Sequence, residues 1–248
     1  MPVTLKGIYR KFIKYPIINP IKMKQQRKRL RKIYSLFIQN ETLCFDIGTH
    51  KGKMSDLFLE LGANVIGVEP HPDLFLNLQE KYKNNDKIKL LNMGASDEEN
   101  TLLFYPCEDK PSRSTFSLEF TKEFTDCVWS KPIKIPTITL DKLIEMYGLP
   151  AFCKIDVENL EKKVLDGLNQ KIKYLSFEFH FRIPGKVHDC IESLERLGSP
   201  KFNYYIDDTN KFIFKNWVDK NELLKSIQKN KNKRNIKRGD IYVFLGDE

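Results

Sequence analysis

Residues 41–52 read ETLCFDIGTHKG, an apolar run that closes on Asp46 and is followed by Gly48 and Gly52 around Thr49, His50 and Lys51. The pattern predicts a strand, a tight turn and the start of a helix, the place where open α/β sheets hold nucleotide ligands. Glycine at the turn permits positive φ and a close backbone approach. The next apolar run, ANVIGVEP, ends in Glu69, 21 residues beyond Gly48. A carboxylate at that distance can accept both hydroxyl protons of a ribose.

Working outward, helical and extended patterns alternate. KGKMSDLFLELG predicts a helix closing at Gly62, and HPDLFLNLQEKYKNN one with proline in its first turn, where a missing amide costs little. KIKLLNMGAS predicts a third strand. TLLFYP and KPIKIPTITL predict two more, on either side of a Ser/Thr- and aromatic-rich insertion at 107–130 that includes Arg113 and Trp129. Alternation resumes with helix DKLIEMYG, strand AFCKIDV, helix NLEKKVLDGLNQ, strand KYLSFEFH and helix GKVHDCIESLERLG. The strands KFNYYIDD and DIYVFLGD close the chain. Strands joined by helical crossovers imply an α/β fold, a mostly parallel sheet with helices on both faces, and the last pair suits an antiparallel edge. Ligands then bind outside the carboxyl ends of the strands, which singles out Asp46, Glu69, Ala95, Ser96, Asp156 and His180.

The 248 residues suit one large domain at 41–248, preceded by a basic helical extension at 1–40. Within it, MKQQRKRLRKIYSLFIQN (23–40) spaces Leu30, Ile33 and Phe37 as a helix does. Residues 1–34 hold 11 Lys and Arg and no acid, and 215–240 hold nine against three acids. Residues 35–214 hold 22 against 28 acids, so the net charge of +9 belongs to the terminal segments. Such segments suit an anionic partner, nucleic acid or a membrane surface, or else a solvated helix face. No apolar stretch is long enough to span a membrane, and the N-terminus lacks a secretory h-region. Five scattered cysteines without a CxxC pair favour a reducing, cytoplasmic setting over a disulfide framework or a zinc site.

Asp46 narrows the ligand. A carboxylate ending the strand would repel a pyrophosphate at the helix N-terminus, and the G-x-G-x-x-G spacing is absent. A nucleoside that carries a sulfonium and an ammonium instead of phosphates favours an acid there, which points to S-adenosyl-L-methionine. The competing role for Asp46 is a cap on the following helix.

From about 43 to 182 the chain resembles the FkbM-type family of S-adenosylmethionine-dependent methyltransferases. FDIGTHKGKMS, VIGVEPHP, LLNMGASDEEN, TITLDKL with CKIDVENLEKKVLDGL, and FEFH carry the resemblance in order. It implies a Rossmann-like, seven-stranded sheet of the class I methyltransferase type. It also implies cofactor contacts at Asp46, Gly48, Gly52, Glu69, Ala95 and Ser96, with Thr49 and His50 in the same turn and Asp156 at the methionine end. The family often has Asn at position 50 and Gly at position 159, where this chain has His50 and Asn159.

Methyl transfer to a hydroxyl needs alignment and a base. Asp156 and Glu158 in KIDVEN and His180 in SFEFH are the expected catalytic groups, with Glu178 orienting His180 or pairing with Arg182. Asp156, Glu158, Glu178 and His180 can also hold a divalent cation, but their spacing is not diagnostic and no metal is assigned. The expected reaction is O-methylation of a sugar, glycolipid or other small molecule, with the 107–130 insertion shaping the acceptor site. An RNA methyltransferase using basic arms at 23–34 and 225–238 is one alternative. A non-catalytic binding protein that keeps the fold is the other.

Overall fold

The computed structural model describes residues 20–181, 184–206, 211–230 and 238–246. Helix α1 (Pro20–Tyr34) leads into β1 (Leu43–Ile47), α2 (Lys53–Glu60), β2 (Asn64–Val68), α3 (Pro72–Tyr82) and β3 (Ile88–Leu91). A smaller layer follows, with β4 (Gly94–Ala95), β5 (Thr101–Phe104), the short helix α4 (Leu118–Glu123) and β6 (Ile133–Ile138). Then come α5 (Leu140–Tyr147), β7 (Phe152–Ile155), α6 (Glu161–Asp166), β8 (Tyr174–His180), α7 (Pro184–Glu195), β9 (Lys201–Ile206), α8 (Lys220–Asn230) and β10 (Arg238–Phe244).

Seven strands form one sheet in the order β3-β2-β1-β7-β8-β10-β9. Neighbours from β3 to β8 are parallel, and β10 runs antiparallel to both β8 and β9. The sheet is the expected mostly parallel one, and its antiparallel pair sits at one side with β10 a single place in from the edge. A central parallel strand has helices on both faces, so β1 buries Cys44 and Phe45 on opposite sides.

The expected third strand is divided. β3 joins the main sheet, whereas β4 pairs with β6, which also pairs antiparallel with β5. At the break, Asn92 Nδ2 donates to the carbonyls of Glu69 and Pro70 (2.9 and 3.2 Å). An amide side chain thus takes up acceptors that a continuous ladder would have used.

The helix expected at 23–40 runs from Pro20 to Tyr34. Ser35 Oγ donates back to the Lys32 carbonyl, and a turn rather than a helix carries Phe37 and Ile38. The apolar spacing still does what it predicts. Leu30, Ile33, Tyr34, Phe37 and Ile38 are all buried against the sheet. The Tyr34 ring meets Phe58 at 5.2 Å and Phe152 at 5.3 Å, both edge-on, and Phe37 stacks on Phe152 at 5.3 Å and Tyr242 at 5.7 Å. The cationic side chains Lys24, Arg27, Lys28, Arg31 and Lys32 face outward. Residues 1–19, residues 231–237 of the second basic run, and Arg182 lie outside the described residues.

Phe37→Ala removes a ring from this aromatic cluster, so chemical denaturation is expected to show a loss of about 3–5 kcal/mol. A loss below about 1 kcal/mol would mean that the segment after α1 rests on the sheet without contributing to its stability.

Candidate functional site

The first turn is built from contacts among its own neighbours. Asp46 ends β1 and is 2% exposed, and Ser55 Oγ of α2 donates to its carboxylate at 2.5 Å. Thr49 Oγ1 donates to the Asp46 carbonyl at 2.9 Å. Gly48 takes φ 86°, and a Cβ there would strike the carbonyl oxygen of Asp156, so the turns after β1 and β7 pack backbone to backbone. His50 is also left-handed, with φ 51°, a conformation that Asn, Asp and His tolerate best. Its amide donates to Glu69 Oε2 at 2.7 Å, while the His71 amide donates to Glu69 Oε1 at 2.9 Å. Two backbone donors therefore fix the Glu69 carboxylate. Gly52 caps α2 with φ 74°, and Tyr82 donates to its carbonyl at 2.9 Å.

Burial sets the electrostatics here. Loss of water lifts Asp46 to about 6 against the hydrogen bond from Ser55 and the charge of Lys154. It lifts Glu69 to about 7 against its two amide donors. Burial also lowers His50, which keeps its imidazole neutral.

The opposite wall centres on Lys154 of β7, 4% exposed. Its ammonium lies 2.8 Å from Asp240 of β10 and 3.3 Å from Asp156. Burial pulls the lysine down, but Asp156 and Asp240 outweigh it and hold the lysine well above its ordinary range. Glu178 of β8 is flanked by His180 Nε2 (3.4 Å) and Arg238 Nη1 (3.2 Å). The Glu178 hydrogen bond raises His180, and burial followed by Asp156 raises Glu178. Glu158 is pushed up to about 9, first by burial and then by the like charges of Glu178 and Asp156.

The KIDVEN turn is sharper than its letters suggest. Glu158 (φ 49°) and Asn159 (φ 84°) are both left-handed. Glycine suits position 159 for that reason, and asparagine is tolerated there. Asn159 does not cap a helix, because Leu160 is the residue before α6. Its Oδ1 accepts from Lys186 Nζ, and its amide and that of Val157 point to the Glu161 carboxylate (3.4 and 3.3 Å).

A cavity of about 460 Å³, in the range of small-molecule sites, joins the two walls. Of the residues expected to bind cofactor or act in catalysis, Asp46, Gly48, Thr49, His50, Glu69, Ala95, Asp156 and Glu158 line it. Gly52 and Ser96 are not on the lining, and His180 lines a separate space of about 20 Å³. Glu158, Glu178 and His180 do place one ligand atom each within 4.8 Å of one another.

Sequence reasoning missed several groups on the lining. Lys154, Arg238 and Asp240 close the far wall, and Tyr34 of α1 closes the near one with Gln26 and Leu30. Lys154 had a signal, because a lysine inside FCKI on a strand buried on both faces needs a partner. The insertion adds Pro111, Ser112, Ser114 and Phe116 beside Phe104. The lining suits a nucleoside that bears positive charge, since Asp46 and Glu69 are buried carboxylates with no cation in direct contact among the described residues. Asp46, Glu69 and Ala95 would hold S-adenosylmethionine there.

Comparison with known proteins gives the family. Residues 46–206 match the methyltransferase FkbM domain family. No curated protein matches the chain. Among solved structures, Aeropyrum pernix fibrillarin with natively bound S-adenosyl-L-methionine is similar at TM-score 0.48 and 10% identity, over 89% of this chain and 74% of that one. An rRNA methylase from Streptococcus thermophilus gives 0.43 and 10%, over 93% and 98%. A precorrin-6y C5,15-methyltransferase from Geobacter metallireducens gives 0.43 and 10%, over 87% and 86%. The family match covers well over half of the sequence and contains Asp46, Glu69 and Asp156, so the chain belongs to the FkbM family of S-adenosylmethionine-dependent methyltransferases.

Proposed function

We propose that the chain O-methylates a hydroxyl of a sugar, glycolipid or other small acceptor without phosphates at the reacting centre. One observation carries this reading, the sign of the charge around the far wall. Among the described residues there, the carboxyls of Asp156, Glu178 and Asp240, leaving Glu158 aside, outnumber the side-chain cations Lys154 and Arg238. Carboxylates accept hydrogen bonds from hydroxyls and repel phosphates.

When bound, S-adenosylmethionine supplies an activated methyl group on a cationic sulfur. The residues of this chain do the rest. Lys154, anchored on Asp240, holds one oxygen of Asp156 and leaves the partly exposed carboxylate turned to the cavity. Asp156 takes the proton from the acceptor hydroxyl. Glu158, protonated at neutral pH because of its raised pKa, donates to an acceptor oxygen. His180 stands behind Glu178 and steadies it. The walls from α1 and the insertion exclude water. A cytoplasmic setting is part of the reading, supported by five free cysteines. No described helix is long and apolar enough to cross a membrane.

A second reading, methylation of RNA, has one observation in its favour. The helix that lines the cavity with Gln26 and Leu30 exposes a row of cations beside it.

Calorimetry is expected to show binding of S-adenosylhomocysteine and S-adenosylmethionine. Asp46→Ala should abolish it, and Glu69→Ala should weaken it by about 1–3 kcal/mol. The pH dependence has a definite sign. Folded-state pKa values of about 6 for Asp46 and about 7 for Glu69 lie above the unfolded values. The folded chain then binds more protons, and these groups reduce stability as pH rises from about 4 to about 7. A cationic ligand offsets that loss, so the rise in Tm given by S-adenosylmethionine should be larger at pH 8 than at pH 5.5. Absence of binding at both pH values ends the methyltransferase reading.

Asp156→Asn should lower kcat on a hydroxyl acceptor by about 10²–10⁴-fold, the span of a general base, with affinity for S-adenosylhomocysteine kept within a few fold. Loss of cofactor affinity alone, with kcat preserved, would place Asp156 outside the proton transfer.

For RNA, the measurement is the salt dependence of binding to a single-stranded oligonucleotide. The acidic wall predicts weak binding that vanishes once the outward-facing Lys24, Lys28, Arg31 and Lys32 are replaced by glutamine. A steep slope that survives these replacements favours the RNA reading.

A further inference from the structure

The strap between β5 and β6 holds a cluster that methyl transfer does not use. The strap folds back on itself. Tyr105 and Thr115 exchange backbone hydrogen bonds, Cys107 bridges antiparallel to Trp129, and the Glu108 amide donates to the Val128 carbonyl at 2.8 Å. That register brings together two cysteines that are 20 positions apart in the chain. The Sγ atoms of Cys107 and Cys127 and one carboxylate oxygen of Asp109 lie within 4.8 Å of one another. Cys44, Cys153 and Cys190 are buried in the core, whereas Cys127 is the least buried cysteine of the five.

Two chemistries use such a cluster, a soft metal ion or a disulfide. The surroundings favour the second. Arg113 Nη1 donates to Cys127 Sγ at 3.5 Å, and Lys110 Nζ lies 3.5 Å from Asp109. A metal held there would have three ligands from the described residues, one of them already in contact with Lys110, whereas structural sites take four, and Lys110 and Arg113 are themselves tied to Asp126 at 2.8 Å.

We infer that Cys107 and Cys127 form a redox modification site, a dithiol that exchanges with a low-molecular-weight disulfide such as glutathione disulfide and closes a bond that fixes the strap against the cofactor cavity. The Cys127 thiolate attacks one sulfur of the small disulfide and expels a thiolate. The Cys107 thiol, hydrogen-bonded to Asp109 Oδ1 at 3.2 Å, passes its proton through that carboxylate to water. Its sulfur then attacks Cys127 in the mixed disulfide and expels the second small thiolate. Two cysteine thiols are oxidised, one small disulfide is reduced, and the two protons end on the departing thiolates. Burial, followed by hydrogen bonds to Cys127 and Asp109, pushes the Cys107 thiol up to about 12, which makes it the second sulfur to react.

The strap connects this pair to the site. The Cys107 amide donates to Ser114 Oγ at 3.0 Å, and Ser114 lines the cavity with Pro111, Ser112 and Phe116. Thr115 Oγ1 donates to the Glu158 carbonyl at 3.0 Å, so the strap also touches the turn that carries Asp156 and Glu158. A disulfide across the base of the strap would preorganise that wall, and preorganisation raises affinity by removing an ordering cost.

The test equilibrates the full chain with graded ratios of reduced to oxidised glutathione, followed by acid quench, alkylation and peptide mapping. Tryptic cleavage at Arg113 and affinity for S-adenosylhomocysteine are measured on both end states. The expected result is reversible loss of two thiols with a single 107–127 link, severalfold slower cleavage and a severalfold lower Kd. C127S should show none of these with an unchanged circular dichroism spectrum, and C107S should trap glutathione on Cys127. The inference is overturned by absence of the link at every ratio, or by a link that leaves both cleavage and affinity unchanged. Zinc retained by the reduced chain and lost in C127S would overturn it too. If neither form binds S-adenosylhomocysteine, the cofactor reading fails by itself, and the peptide link and the cleavage rate still decide this one.

Discussion

A single ammonium group inside the sheet ties fold to site. Lys154 sits on a central strand where water cannot reach it, and a buried charge without a partner costs several kcal/mol. Its two carboxylate partners come from different places. Asp156 follows two residues later, just past the end of the same strand, but Asp240 arrives from β10. The antiparallel register of β10 on β8 sets Asp240 opposite Glu178 and Arg238 opposite His180. The far wall is therefore complete only when the C-terminal strand has inserted between β8 and β9. A parallel sheet that ended at β8 would leave Lys154 with half its partners and Glu178 without Arg238.

That dependence explains why so many carboxylates coexist in one cavity. Asp46, Glu69, Glu158 and Glu178 are all pushed upward by burial before any other cause. Folding energy alone would replace such acids with apolar residues, because a satisfied apolar wall is cheaper. They make sense where something positively charged, or rich in hydroxyls, is to be received. The nearer wall works differently. α1 keeps its cations outside and gives the cavity Leu30 and Tyr34, so a segment that reads as a basic tail also serves as an apolar cover.

How much of this the sequence could show depended on distance along the chain. The strand, turn and helix at Asp46, the carboxylate at Glu69 and the turn at Asp156 are local patterns, and the fold brings them to one cavity. The α/β alternation was equally legible, since each helix and strand carries its own period. What escaped depended on register or on hidden periodicity. Arg238 and Asp240 reach the site only through pairing of β10 with β8. α8 was submerged in a lysine-rich run, although Leu223 and Ile227 are spaced one helical turn apart and both are buried. Cys107 and Cys127 looked dispersed because a hairpin, not a short motif, brings them together.

His50 shows why a residue at a site need not act through its side chain. Its left-handed backbone aims an amide at Glu69, and the amide of His71 holds the other oxygen. The imidazole is neutral, and its Nε2 has no hydrogen-bond partner among the described residues, so it adds no charge to the turn. Asparagine and histidine share tolerance of positive φ and little else. Their exchange at this position is then a conservation of backbone shape. The turn keeps Glu69 orientated by two amides whichever of them stands there, and Asp46, anchored separately on Ser55, supplies the charge that a pyrophosphate site would exclude.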